Sequence, residues 1–90
     1  MYRIREYTKR KARAMGLVVK PSTRLHKKID VYQHGKIVAS VGDIRYDDYA
    51  TLVETHPEKA EERKRLYHIR HRKDEAHIGT PGYYAAKLLW

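Results

Sequence analysis

The apolar positions of this chain change their spacing as it proceeds, and the change marks out the elements. Ile4, Tyr7, Ala12 and Met15 form a thin stripe at helical spacing, with no Pro or Gly until Gly16. Residues 2–14 are therefore expected to be helical, with Gly16 as the stop. Leu17-Val18-Val19 is short and rich in branched side chains, and Pro21-Ser22-Thr23 interrupts it with turn chemistry. Ile29 to Gln33 and Lys36 to Val41 read as two strands. In the second, Ile37, Ala39 and Val41 alternate with Lys36, Val38 and Ser40, the period of a half-covered strand. His34-Gly35 between them fits a two-residue hairpin turn.

After Gly42-Asp43, either Asp47 or Asp48 is placed to cap a short helical turn through Thr51–Val53. Thr55 is expected to cap a longer helix, with Pro57 early in it and its end near Arg72. Glu58, Glu61 and Glu62 precede Arg70, Arg72 and Lys73, the order that suits a helix dipole. Glu61 and Arg65 stand four apart, as an intrahelical ion pair requires. Gly79-Thr80-Pro81-Gly82 breaks the chain again. Tyr83 to Trp90 is a short helical segment whose Leu88, Leu89 and Trp90 are too apolar to stay exposed. The fold class expected is α+β: a basic helix or arm over 1–16, then a small domain over 17–90. That domain holds a hairpin, with a possible third strand, a charged helix and an apolar C-terminal lid.

Charge changes the picture. The chain has 90 residues and a formal net charge of +9, from 20 Lys and Arg against 11 Asp and Glu. Before residue 29 the only acidic side chain is Glu6; the middle of the chain, with Asp30, Asp43, Asp47, Asp48 and Glu54, is slightly acidic. A polyanion is the expected partner of such a distribution. The candidate phosphate contacts are Lys9, Arg10, Lys11, Arg13, Lys20, Arg24, Lys27 and Lys28 in the first third, with Arg70 and Arg72 further on. Tyr2 and Tyr7 could add stacking on unpaired bases. A rival partner is the acidic surface of a larger protein. For that contact Tyr83, Tyr84 and Trp90 are the interface candidates, whereas Tyr46, Tyr49, Tyr67 and also Trp90 are expected to fill the core in a chain without Phe. Cysteine is absent, which excludes disulfides and thiolate metal sites. No apolar run suggests a secretory leader or a membrane span.

Catalysis has few candidates. His68 and His71, with Asp74 or Glu75 and the more distant His56, have spacing loosely compatible with zinc, but no fourth ligand is evident. Asp43, Asp47, Asp48 and His56 are the only groups from which a metal-dependent nuclease could be built, and turn and cap formation accounts for the same aspartates. The expectation is a binding protein without cofactor or metal, not an enzyme.

Five pieces in order carry a family resemblance: Lys20-Pro21-Ser22-Thr23 with Lys27-Lys28 and the hairpin; Tyr46-x-Asp48-Tyr49; His56-Pro57 leading to Arg63-x3-Tyr67-x2-Arg70-His71; Thr80-x-Gly82-Tyr83; and Leu88-Leu89-Trp90. Over about residues 18–90 the chain resembles small basic proteins encoded by large double-stranded DNA viruses of algae and protists and by environmental phages. The resemblance implies an α+β unit and a viral setting, in the virion or the infected-cell interior, but no reaction. Two functions are then expected: sequence-independent binding of nucleic acid through its phosphates, or a minor virion component docked on larger capsid subunits.

Overall fold

The computed structural model describes all residues, 1–90. The elements run α1 (Glu6–Ala14), β1 (Val18–Pro21), β2 (Lys27–Gln33), β3 (Lys36–Asp43), α2 (Tyr49–Thr55), α3 (Pro57–Arg70), α4 (Arg72–Glu75) and α5 (Pro81–Leu88). The three strands form one antiparallel sheet in the order β1-β2-β3. The fold is α+β. No helix is long and apolar enough to cross a membrane.

The hairpin turn forms as its sequence requires. His34 and Gly35 both take positive φ, 53° and 78°, and Gln33 pairs with Lys36 across them. Both strands are longer than the alternation indicated, because pairing continues from Lys27 to Asp43. Leu17-Val18-Val19 does lead into a third strand, and β1 includes Pro21. A proline is tolerated there because β1 is an edge strand. A bulge between Val31 and Tyr32 sets two residues of β3 against one of β2, and it leaves Ile37 and Val38 both exposed.

The main core lies on one side of the sheet. Ile29 and Val31 of β2 and Ala39 and Val41 of β3 pack with Ala12 of α1, Leu17, and Tyr84, Leu88 and Leu89 at the α5 end. Thr8 of α1 is also buried, and its hydroxyl donates to the Leu88 carbonyl at 2.8 Å. The basic helix is thus joined to the same core as the strands. A smaller core of Tyr49, Leu52 and Ala60 holds α2 against α3.

Several boundaries differ from expectation, each for a tertiary reason. Residues 2–5 lie outside the helix, which begins at Glu6, and Arg5 before it is extended. Tyr2 donates to Asp48 at 2.8 Å and Arg5 reaches Glu54 at 2.9 Å, so this segment is drawn out along α2. Asp48 caps α2 by accepting from the Thr51 N–H at 2.8 Å, and that helix starts at Tyr49. Thr55 ends α2 and does not cap α3; His56 sits at that junction, with Pro57 as the first residue of α3. The α3 helix stops at Arg70, and His71 separates it from α4. Arg65 pairs with Glu62 at 2.6 Å, while Glu61 accepts from the Tyr49 hydroxyl at 2.9 Å. Thr80 caps α5, so Pro81 and Gly82 belong to the helix and not to the break.

Candidate nucleic-acid interface

The buried stripe of α3 decides where its functional side chains stand. Ala60, Lys64, Tyr67, His68 and His71 recur at helical spacing and are the covered or half-covered positions from α3 to its end. Tyr67 stacks on Trp90 with centroids 4.3 Å apart and planes 3° apart, and on His71 at 4.2 Å and 22°. Two rings that close and that parallel cannot share one face, so Tyr67 is the middle of a three-ring stack. Trp90 also packs against both cores, and its backbone oxygen accepts from the Tyr7 hydroxyl at 3.3 Å.

Beside this stack opens a cleft of about 670 Å³ between the end of the β2–β3 hairpin, α3 and α5. Lys27 enters from β2, and Arg63 and Arg70 from α3. None of the three forms an ion pair. The carboxylates lining it are mostly engaged. Asp43 is clamped by Arg45, whose guanidinium donates at 2.7 and 3.0 Å and holds the carboxyl far below its usual range. Asp74 lies 3.2 Å from Nδ1 of His71. Asp47 alone lines the cleft without an ion-pair partner. Burial, with Glu75 and Asp74 nearby, pushes the Tyr67 hydroxyl up to about 12. Tyr46 stands at the cleft with 67% of its surface exposed, where a core position was expected.

The cleft gathers sequence that lies far apart in the chain. Lys27, Tyr46, Arg63, Tyr67, Arg70, Gly82 and Trp90 come from all five of the pieces that carry the resemblance. Among the expected phosphate contacts, Lys27 and Arg70 reach it. Lys28 borders it too but does not face it freely: it is only 4% exposed, and its ammonium is 2.6 Å from Asp48. Lys28 is thus a structural ion pair, not a phosphate contact.

The remaining expected contacts lie elsewhere. Arg10 and Lys11 border a second, shallower groove with Tyr7, Met15 and Lys87. Lys11 and Lys64 both sit over the Tyr7 ring, at 5.3 and 5.8 Å from its centroid. Lys9 is exposed and unpaired on α1, while Arg13 is taken up by Glu6 at 3.1 Å. Lys20 lies over Tyr32 at 5.1 Å on the sheet, Arg24 is exposed in the β1–β2 turn, and Arg72 is exposed on α4. Of the interface rings, Tyr84 is 7% exposed and belongs to the main core, in place of Tyr46; Tyr83 and Trp90 are half-buried. Arg63, Lys64, Lys87 and Tyr46 join these surfaces without having been expected there. For Arg63 a sequence signal exists, since it shares a helix face with Tyr67 and Arg70.

The metal candidates do not converge. His68 is engaged at both ring nitrogens, by Glu75 at 2.8 Å and the Trp90 oxygen at 3.2 Å. No three His, Asp or Glu side chains are grouped to hold an ion. Comparison of the chain with protein families, curated proteins and solved structures gives no match.

Proposed function

We propose that this protein binds nucleic acid without regard to sequence, through Lys and Arg contacts to phosphates, in a viral or phage setting. The observation that carries this reading is the set of cations left without carboxylate partners at two concave surfaces. These are Lys27, Arg63 and Arg70 at the cleft, and Arg10, Lys11 and Lys87 at the α1–α5 groove. Unpaired surface cations of this density raise the local concentration of a polyanion and release its counterions on contact. Contacts from such cations go to phosphate oxygens, which are the same in every sequence and so leave the bases unread.

The test is fluorescence anisotropy with labelled oligonucleotides of three unrelated sequences over a range of salt. The expected result is affinity that differs less than about threefold between sequences and falls linearly with salt on logarithmic axes. A flat salt dependence, or a strong preference for one sequence, overturns the proposal.

A second reading, docking on a larger capsid subunit, draws on a different surface. Val18, Tyr32 and Ile37 are cross-strand neighbours on the sheet, and Val18 and Ile37 are exposed. Exposed apolar rows of this kind serve protein contacts. Competition between purified capsid protein and DNA separates the two: capsid binding that DNA does not displace favours the sheet row, and mutual exclusion favours the cationic surfaces.

A further inference from the structure

We infer that the bound strand is single, and that a base stacks on Tyr46 beside phosphates held by Lys27, Arg63 and Arg70. This rests on the nucleic-acid reading and names the form of the polymer.

Of the tyrosine and tryptophan rings in the lining, Tyr46 is the one with a free face. Tyr67 is covered on both faces, and Trp90 is packed against Tyr67 and both cores. Tyr46 is instead exposed, and its hydroxyl has no hydrogen-bond partner within the chain. Its burial therefore contributes little to folding. It is nonetheless held in place. Its N–H donates to the Asp43 carbonyl at 3.1 Å, and the Arg45 guanidinium lies 5.8 Å from its centroid while clamped to Asp43. A largely exposed ring, anchored through its backbone, neighboured by the Arg45 guanidinium and adjoining unpaired cations, is an arrangement suited to binding unstacked bases.

The surroundings of Tyr46 extend the same surface. Leu25 and Ile44 are 82% and 51% exposed, on two loops joined by the Ile44 N–H to the His26 carbonyl at 3.0 Å. Arg24 precedes Leu25 in sequence, and Lys27 follows it by two residues. A duplex turns its phosphates outward and keeps its bases stacked, so it would set charged oxygens against these apolar side chains. A single strand offers base faces to them and phosphates to the cations. The cleft volume of about 670 Å³ lies in the range of small-ligand sites, about 300–1,000 Å³, which is room enough for one nucleotide unit.

The experiment compares wild type, Tyr46→Ala and Tyr46→Phe on three labelled polymers of equal length. These are oligothymidylate, a random duplex, and an oligomer of abasic sites that keeps the phosphates but lacks bases. Wild type is expected to bind oligothymidylate about tenfold or more tightly than either other polymer. Tyr46→Ala should weaken binding to oligothymidylate about tenfold and leave binding to the abasic oligomer unchanged, while Tyr46→Phe should retain wild-type binding. Thermal unfolding of both variants should match wild type, since the ring is exposed. Duplex binding as tight as single-strand binding overturns the inference, and so does an equal loss on the abasic and thymidylate oligomers. Failure to bind any of the three polymers removes the nucleic-acid reading itself.

Discussion

The ammonium of Lys28 lies 2.6 Å from Oδ2 of Asp48, and neither side chain is open to solvent. Asp48 is shared further: Oδ2 also accepts from the Tyr2 hydroxyl at 2.8 Å, and Oδ1 caps α2 at Thr51. One carboxylate thus ties β2, the N-terminal segment and the α2 terminus together. Removing one partner of a buried pair leaves a charge without compensation, at a cost of about 3–5 kcal/mol. Lys28→Met should therefore lose that much in urea unfolding, a large part of the roughly 5–15 kcal/mol typical of a domain. Lys28→Met with Asp48→Asn should recover much of it, because the amide oxygen still caps α2 and no charge is stranded. Equal stability of the single and double variants would show that the stranded carboxylate costs nothing.

Cations at the cleft and at the groove separate in a salt titration. Removing one phosphate contact from a single-strand complex lowers the logarithmic salt slope by about 0.7. Lys27→Ala, Arg63→Ala and Arg70→Ala combined should flatten the slope by about 2. The same measurement on Arg10→Ala, Lys11→Ala and Lys87→Ala reports whether the groove shares the strand. Lys28→Met, if folded, should leave the slope unchanged, because that ammonium faces Asp48 and not solvent.

A raised hydroxyl pKa makes the Tyr67 stack sensitive to alkali. A folded-state value near 12 exceeds the ordinary tyrosine value near 10, so the folded chain holds the proton more tightly than the unfolded chain. The associated stability is fully present below about pH 10 and is lost as pH rises through about 12. Tyr67→Phe should remove this part of the alkaline transition, read as unfolding by circular dichroism over about pH 9 to 12. Asp30 acts at the other end. Burial works against its charge, but hydrogen bonds from Ser40 and Ser22 outweigh it and hold its carboxyl below the usual range. Its contribution is present above about pH 4 and lost on further acidification.

Two glycines with similar φ should respond differently to alanine. Gly35 has φ +78° and open space around the new methyl, so Gly35→Ala incurs only the left-handed backbone cost, about 1–2 kcal/mol. At Gly42, φ +83°, the methyl would lie 2.9 Å from both Leu89 Cδ1 and Lys28 Cδ. Overpacking adds about 1–3 kcal/mol there. With about 4–8 °C per kcal/mol for a domain of this size, the two melting temperatures should be separable by calorimetry.

The parts of the fold legible in the sequence are those with local causes. The His34-Gly35 turn needs only a residue pair that accepts positive φ, and the strands beside it need only alternation. The late start of α1, with residues 2–5 outside it, has its cause 46 residues from Tyr2, in Asp48, and helix formers alone point the other way. Lys28 carries no mark that separates it from Lys27; only the fold sets one against an aspartate and the other at the cleft. Tyr84 and Leu88 do share a helix face four residues apart, which is a local sign that Tyr84 is buried. Tyr46 has no such sign, because its exposure follows from how the β3–α2 connection turns.

The chain contains a single tryptophan, and it is stacked on Tyr67 in the wall of the cleft. Its ultraviolet emission is therefore a label already in place. A guest entering between Arg63 and Tyr46 would alter the polarity around the indole, and a loosening of the ring column would shift its colour toward that of free indole in water. Occupancy and local opening can both be followed on the unmodified polypeptide, with no dye attached.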